Sequence, residues 1–143
     1  MSVQWLGRAS RRAPLCLPLF SQPVAAGFPS PAQDHVEQRL DLNGLCIKHP
    51  QATYFVRAKG DSMVEHGIVS GDILVVDRAL EARHGDIIIA SLQGDFTVKR
   101  LCLHPSPCLQ PGNPAYPPIA IEEDNPPDIF GVVTFVVHPT RLS

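Results

Sequence analysis

The segment Gly60-Asp61-Ser62-Met63-Val64-Glu65-His66-Gly67-Ile68-Val69-Ser70-Gly71-Asp72, running directly into Ile73-Leu74-Val75-Val76-Asp77, constrains this chain more than any other. Glycines at 60, 67 and 71 permit positive φ and close backbone approach, so the chain reverses sharply around one serine before entering a strand. A hydroxyl held in such a turn is a candidate exposed nucleophile, provided a base can reach it. Residues 73–77 form an apolar run of strand length, and residues 86–92 form a second. Gln93-Gly94 supplies a tight turn to a returning strand, 95–103. With 53–58 leading into the serine turn and 129–137 as a final strand, the pattern predicts a mostly β domain.

Alternation on the returning strand decides where its lysine points. Phe96, Val98, Arg100 and Cys102 share one face, and Thr97, Lys99, Leu101 and Leu103 share the other. Lys99 therefore lies on a largely apolar strip, either snorkelling from an edge strand or held away from water. The second case makes it a base. An ordinary lysine titrates near about 10.4 and a useful base near about 7–8, a gap of roughly three units or about 4 kcal/mol that desolvation can supply. Ser62 and Lys99 are thus the candidate catalytic pair. A triad drawing on His66 or His84 with Asp61 or Asp86 matches no recognised triad context, and Asp72, Asp77 and Asp86 read as residues that fix turns and strand ends.

Residues 1–34 differ from the rest. Arg8, Arg11 and Arg12 precede a short apolar run broken by Pro14 and Pro18, followed by Pro23, Pro29 and Pro31. These prolines forbid a continuous helix and favour extended backbone, so the expectation is a flexible arm over 1–34 and a β-rich domain over 35–143. The interrupted apolar run is also poor for a secretory signal, despite the small residues Val24-Ala25-Ala26. Residues 34–44, with apolar positions 36, 40 and 42, predict a short helix ended by Gly44. Residues 104–128 are proline-rich and predict loops around Ile119-Ala120-Ile121. No apolar run approaches membrane-spanning length. A formal net charge of −2 argues against a phosphate-binding surface for DNA. The four cysteines, 16, 46, 102 and 108, have no CxxC or zinc-ligand spacing, so no metal or other cofactor is expected.

Gly60-Asp61-Ser62-Met63, Gly71-Asp72-Ile73-Leu74-Val75-Val76-Asp77, His84-Gly85-Asp86-Ile87-Ile88 and Phe96-Thr97-Val98-Lys99-Arg100-Leu101 resemble, in order and spacing, the LexA-like self-cleaving serine peptidases. Leu19-Phe20, 27–31 (Gly-Phe-Pro-Ser-Pro) and Glu37-Gln38-Arg39 make the UmuD branch the nearest match, over about residues 19–137. The resemblance implies a LexA/UmuD-like peptidase domain with Ser62 as nucleophile, Lys99 as general base and Ala26-Gly27 as the bond cut in the chain's own arm. The backbone N–H groups of Asp61 and Ser62 are the candidate oxyanion donors. Alanine before the cut bond follows LexA; UmuD has cysteine there, and both are small.

The resemblance further implies a cytoplasmic homodimer, cleavage stimulated by a RecA filament, and a shortened product, 27–143, that joins a UmuC-type translesion DNA polymerase in the SOS response. The rival readings are a non-catalytic dimeric interaction module, a LexA-like repressor fragment and a type I signal peptidase. The repressor needs a helix-turn-helix that residues 1–34 do not contain, and the signal peptidase needs a membrane span.

Overall fold

A computed structural model describes residues 2–8, 14–20 and 36–141 of the chain. Ten strands among the described residues carry the architecture: β1 (Ser2–Arg8), β2 (Cys16–Phe20), β3 (Val36–Asp41), β4 (Thr53–Lys59), β5 (Ile73–Asp77), β6 (Ile87–Leu92), β7 (Asp95–Cys102), β8 (Cys108–Gln110), β9 (Ile119–Ala120) and β10 (Asp128–Val137). Eight form one sheet in the order β1-β4-β5-β10-β6-β7-β8-β9, and β1 also meets β7 where Ser2 pairs with Thr97. That pairing closes six strands into a barrel. The mostly β architecture predicted from the sequence is the one observed.

The expected strands stand within a residue or two of their predicted bounds. β6 and β7 pair from Ile87 with Arg100 to Leu92 with Asp95. Their turn has positive φ at both Gln93 (51°) and Gly94 (86°), as a two-residue hairpin of this hand requires. β10 lies between β5 and β6, and its register shifts beside Gly131, where an added Cβ would stand 2.7 Å from Val76 Cγ1. Close approach at that bulge explains the glycine. The barrel interior is filled by Val56, Ala58, Met63, Ile68, Leu74, Val76, Ile89 and Val98. A second cluster, Ile88, Ala90, Leu101, Leu109 and Val132, packs on the opposite face of β6 and β7.

Within the predicted helix over 34–44, the described residues 36–41 are not helical. Val36–Asp41 is instead strand β3, paired antiparallel with β2 from Cys16 opposite Asp41 to Phe20 opposite Val36. A five-residue helix, α1 (Leu42–Cys46), starts where the predicted one was to stop. Asp41 caps it, accepting from the backbone N–H groups of Asn43 (3.3 Å) and Gly44 (3.2 Å). A distant partner strand and an aspartate cap outweigh a weak helical periodicity. Two stretches of the proline-rich N-terminal region also form strands: β1 lies along β4, from Ser2 opposite Lys59 to Arg8 opposite Tyr54, and β2 pairs with β3.

Candidate active site

Lys99 sits at a junction on the outer edge of β7. Two residues before it, Thr97 pairs with Ser2 of β1; one residue after it, Arg100 begins the pairing with β8. On the inner edge Lys99 faces Ile88 of β6. Both faces of β7 are covered here, since Val98 and Lys99 point opposite ways and both are buried. The lysine does not snorkel. It is 6% exposed, and burial pushes its pKa below the ordinary lysine value of 10.5.

Ser62 reaches this junction from the end of β4. Beyond Lys59 the chain turns through Gly60 (φ 99°), makes one helical turn at Val64–His66 and reverses at Gly67 (φ 80°). Met63 and Ile68, both fully buried, anchor the turn in the barrel core. Lys99 Nζ lies 3.3 Å from Ser62 Oγ, 3.2 Å from Thr97 Oγ1 and 3.1 Å from the Val98 carbonyl oxygen. Those acceptors can take all three N–H bonds of an ammonium group. Ser62 itself is 1% exposed, so the hydroxyl is closed off rather than presented to solvent as the turn alone suggested.

The closure comes partly from the segment after β8, which the sequence presented as loop. The Gly112 N–H donates to the Ser62 carbonyl (2.5 Å), and the Glu65 N–H donates to the Gly112 carbonyl (2.7 Å). Asn113 Nδ2 donates to the Asp61 carbonyl (3.0 Å), and the Tyr116 hydroxyl to Asp61 Oδ1 (2.6 Å). Gly112 has to be glycine, because an added Cβ would stand 2.6 Å from His66 Cδ2 and 3.1 Å from the His66 backbone nitrogen. This clamp gave no signal in the sequence beyond a glycine among prolines, since its meaning lies in what it touches.

Apart from His66, the other candidates have side-chain partners. His84 Nδ1 accepts from the Leu103 N–H (2.8 Å), and its ring packs 4.9 Å from that of His104. Asp86 Oδ2 accepts from the Arg83 N–H (2.8 Å). Asp72 accepts from the Val69 N–H (3.0 Å) and contacts His138 Nδ1 (2.6 Å); Asp77 accepts from the Ala79 N–H (2.8 Å) and contacts His49 Nδ1 (2.6 Å). These aspartates hold turns and strand ends. His66 has a buried Nε2 with no hydrogen-bond partner among the described residues. The expected cut bond, Ala26-Gly27, lies outside the described residues.

Among the described residues no group of three or more His, Cys, Asp or Glu side chains is arranged to hold a metal ion. No described helix is long and apolar enough to cross a membrane.

The sequence profile of the family described as Peptidase S24-like matches residues 18–134. Protein SamA of Salmonella typhimurium strain LT2 is 56% identical over 124 residues, covering 87% of this chain and 86% of the relative. Protein ImpA of Escherichia coli is 53% identical over 126 residues, with 87% and 85% covered. Protein MucA of Escherichia coli is 49% identical over 129 residues, with 88% of each chain covered. With the profile matched over most of its length and relatives about half identical, the chain belongs to the peptidase S24-like family, the LexA- and UmuD-like peptidases that its serine and lysine motifs resemble.

Proposed function

We propose that this chain is a serine peptidase that cuts its own N-terminal arm between Ala26 and Gly27, with Ser62 as nucleophile and Lys99 as general base. The observation that carries the reading is the buried 3.3 Å contact between Lys99 Nζ and Ser62 Oγ. A neutral amine has two N–H donors and one lone pair. With Thr97 Oγ1 and the Val98 carbonyl taking the donors, the lone pair is left for the Ser62 proton.

Ser62 Oγ attacks the Ala26 carbonyl carbon as its proton passes to Lys99 Nζ. Backbone N–H groups of Asp61 and Ser62 are the proposed donors to the resulting oxyanion. The Lys99 ammonium then protonates the Gly27 nitrogen as the C–N bond breaks, leaving residues 1–26 as an ester on Ser62. A water, deprotonated by Lys99, hydrolyses that ester. Strand β1 supports a route for the arm, because an extended segment is already accommodated between β4 and β7 beside the two residues. Next to it is a cavity of about 320 Å³ lined by Val3, Val56, Ile89, Phe96 and Phe130. Strand addition by the arm would offer Val24, two residues before Ala26, to the same apolar cavity.

We assign the product, residues 27–143, to a cytoplasmic homodimer that serves a UmuC-type translesion polymerase in the SOS response, with cleavage stimulated by a RecA filament. The family resemblance supports this assignment. The exposed end of β10, with Phe135 at 37%, Val136 at 36% and Val137 at 53%, is the candidate self-association surface.

The 1% exposure of Ser62 favours a second reading, a non-catalytic interaction module in which the pair is structural. One experiment separates the two. Purified chain incubated at about pH 10, where a lysine lowered from about 10.4 has a larger neutral fraction without a helper, is followed by intact mass beside Ser62→Ala and Lys99→Ala chains. The expected result is a fragment beginning at Gly27 that both substitutions suppress by about a thousandfold or more. Full-length chain in all three, with added RecA filament changing nothing, would leave the interaction module.

A further inference from the structure

Cys102 of β7 stands directly opposite Cys108 of β8. Neighbouring backbone bonds fix the kind of pair they form. The Leu101 N–H donates to the Asp86 carbonyl (2.8 Å) and the Leu101 carbonyl accepts from the Gly85 N–H (2.7 Å), so the backbone groups of Leu101 face away from β8. Alternation then turns those of Cys102 toward β8, which makes Cys102 and Cys108 a hydrogen-bonded pair with Cα atoms about 5.5 Å apart. That separation lies within the roughly 4.4–6.8 Å that a disulfide spans. Cys102 Sγ donates to Gln110 Oε1, on the same face of the β7–β8 ladder, at 3.1 Å. Both are partly exposed, whereas Cys16 and Cys46 lie apart on β2 and α1.

We infer that Cys102 and Cys108 form a reversible two-electron redox site, a dithiol that glutathione disulfide or a peroxide converts to a cross-strand disulfide. With glutathione disulfide, one thiolate attacks a sulfur of the oxidant and expels one glutathione thiolate. The second cysteine thiolate then attacks the mixed disulfide and expels the other. Two protein thiols are oxidised, two glutathione molecules are formed, and the cysteine protons pass to the departing thiolates. With hydrogen peroxide the intermediate is a sulfenic acid and the two oxygens leave as water.

The position of the pair predicts how the bond behaves. A hydrogen-bonded pair holds its side chains farther apart than a non-hydrogen-bonded one, so closing the S–S bond pulls against the β7–β8 ladder. A disulfide strained in this way is easily reduced, which makes it a switch rather than a staple. Burial and the adjoining Cys102 push the Cys108 thiol above its ordinary value of 9.0, so oxidation is slow at neutral pH and accelerates in base.

The test uses the full chain carrying Ser62→Ala, treated with glutathione disulfide. The expected product has lost two hydrogens, and the loss maps to the tryptic peptide after Arg100, which contains both cysteines. Cys102→Ser and Cys108→Ser should each abolish the loss and retain one glutathione instead. The rate should rise up to about tenfold per pH unit below the thiol pKa values. Excess reduced glutathione should return the dithiol. Separate glutathione adducts on both cysteines with no loss of hydrogen would overturn the inference. A 102–108 disulfide that a large excess of reduced glutathione leaves intact would overturn its reversibility.

Discussion

The two halves of the candidate site are held by different means. Lys99 is fixed by a strand whose neighbours are set by regular pairing, with Ile88 opposite it and Thr97 two residues away on the same face. Ser62 lies on a turn outside the strands, held by the buried side chains of Met63 and Ile68 and by a few bonds from residues 112–116, far along the chain. A strand averages many contacts, so small changes on it are absorbed. A turn held by a clamp transmits them directly to the hydroxyl.

The sharpest way to break this contrast is at Gly112. Gly112→Ala forces a Cβ against His66 and the backbone behind it, so the Ser62 turn has to move. Self-cleavage at pH 10 is expected to fall about 100-fold, the usual cost of misplacing a reacting group by about 1 Å. Denaturant unfolding should show only about 1–3 kcal/mol lost, the cost of local overpacking. Unchanged cleavage would mean that the clamp does not position the serine.

A smaller effect, of opposite sign, is expected on the strand side. β1 occupies the seam between β4 and β7 that the arm is proposed to use, so the two compete. Gln4→Pro cannot maintain the β1 ladder. If the seam is filled by β1 in nine chains of ten, releasing it raises the cleavage rate up to about tenfold. Hydrogen exchange across residues 2–8 checks that the strand was freed. A freed strand with an unchanged rate would place the arm elsewhere.

The smallest effect appears in stability against pH. Burial lowers the folded pKa of Lys99, so between that value and 10.5 the unfolded chain binds more protons and stability rises with pH. Below that window the cost of burying the charge is fully present. Lys99→Met removes the titration. In a Ser62→Ala background its stability relative to the lysine parent should therefore decline as pH rises toward 10.5, by about 1.4 kcal/mol for each unit of lowering. Urea midpoints measured at several pH values check this, and parallel curves would mean that Lys99 is not perturbed.

What could be read from the sequence was what local rules govern. Apolar runs of strand length bounded by turn residues marked β4 to β7 and β10, the glycines marked the serine turn, and alternation along β7 put Lys99 among apolar neighbours. The same rules failed at Val36–Asp41, where a weak helical pattern yielded to pairing with β2, about twenty residues earlier in the chain. They were silent about the clamp, because Gly112, Asn113 and Tyr116 look like ordinary loop residues until Asp61, Ser62 and His66 are set beside them.

The sequence by itself determined a mostly β chain carrying a serine in a tight turn and a lysine on an apolar strip, since backbone sterics and side-chain alternation act over a few residues. The tertiary structure alone decided that the barrel closes through β1, that residues 112–116 hold the turn, and that Ser62 and Lys99 meet out of water. Those outcomes depend on contacts between residues tens of positions apart, which packing selects and no local pattern encodes.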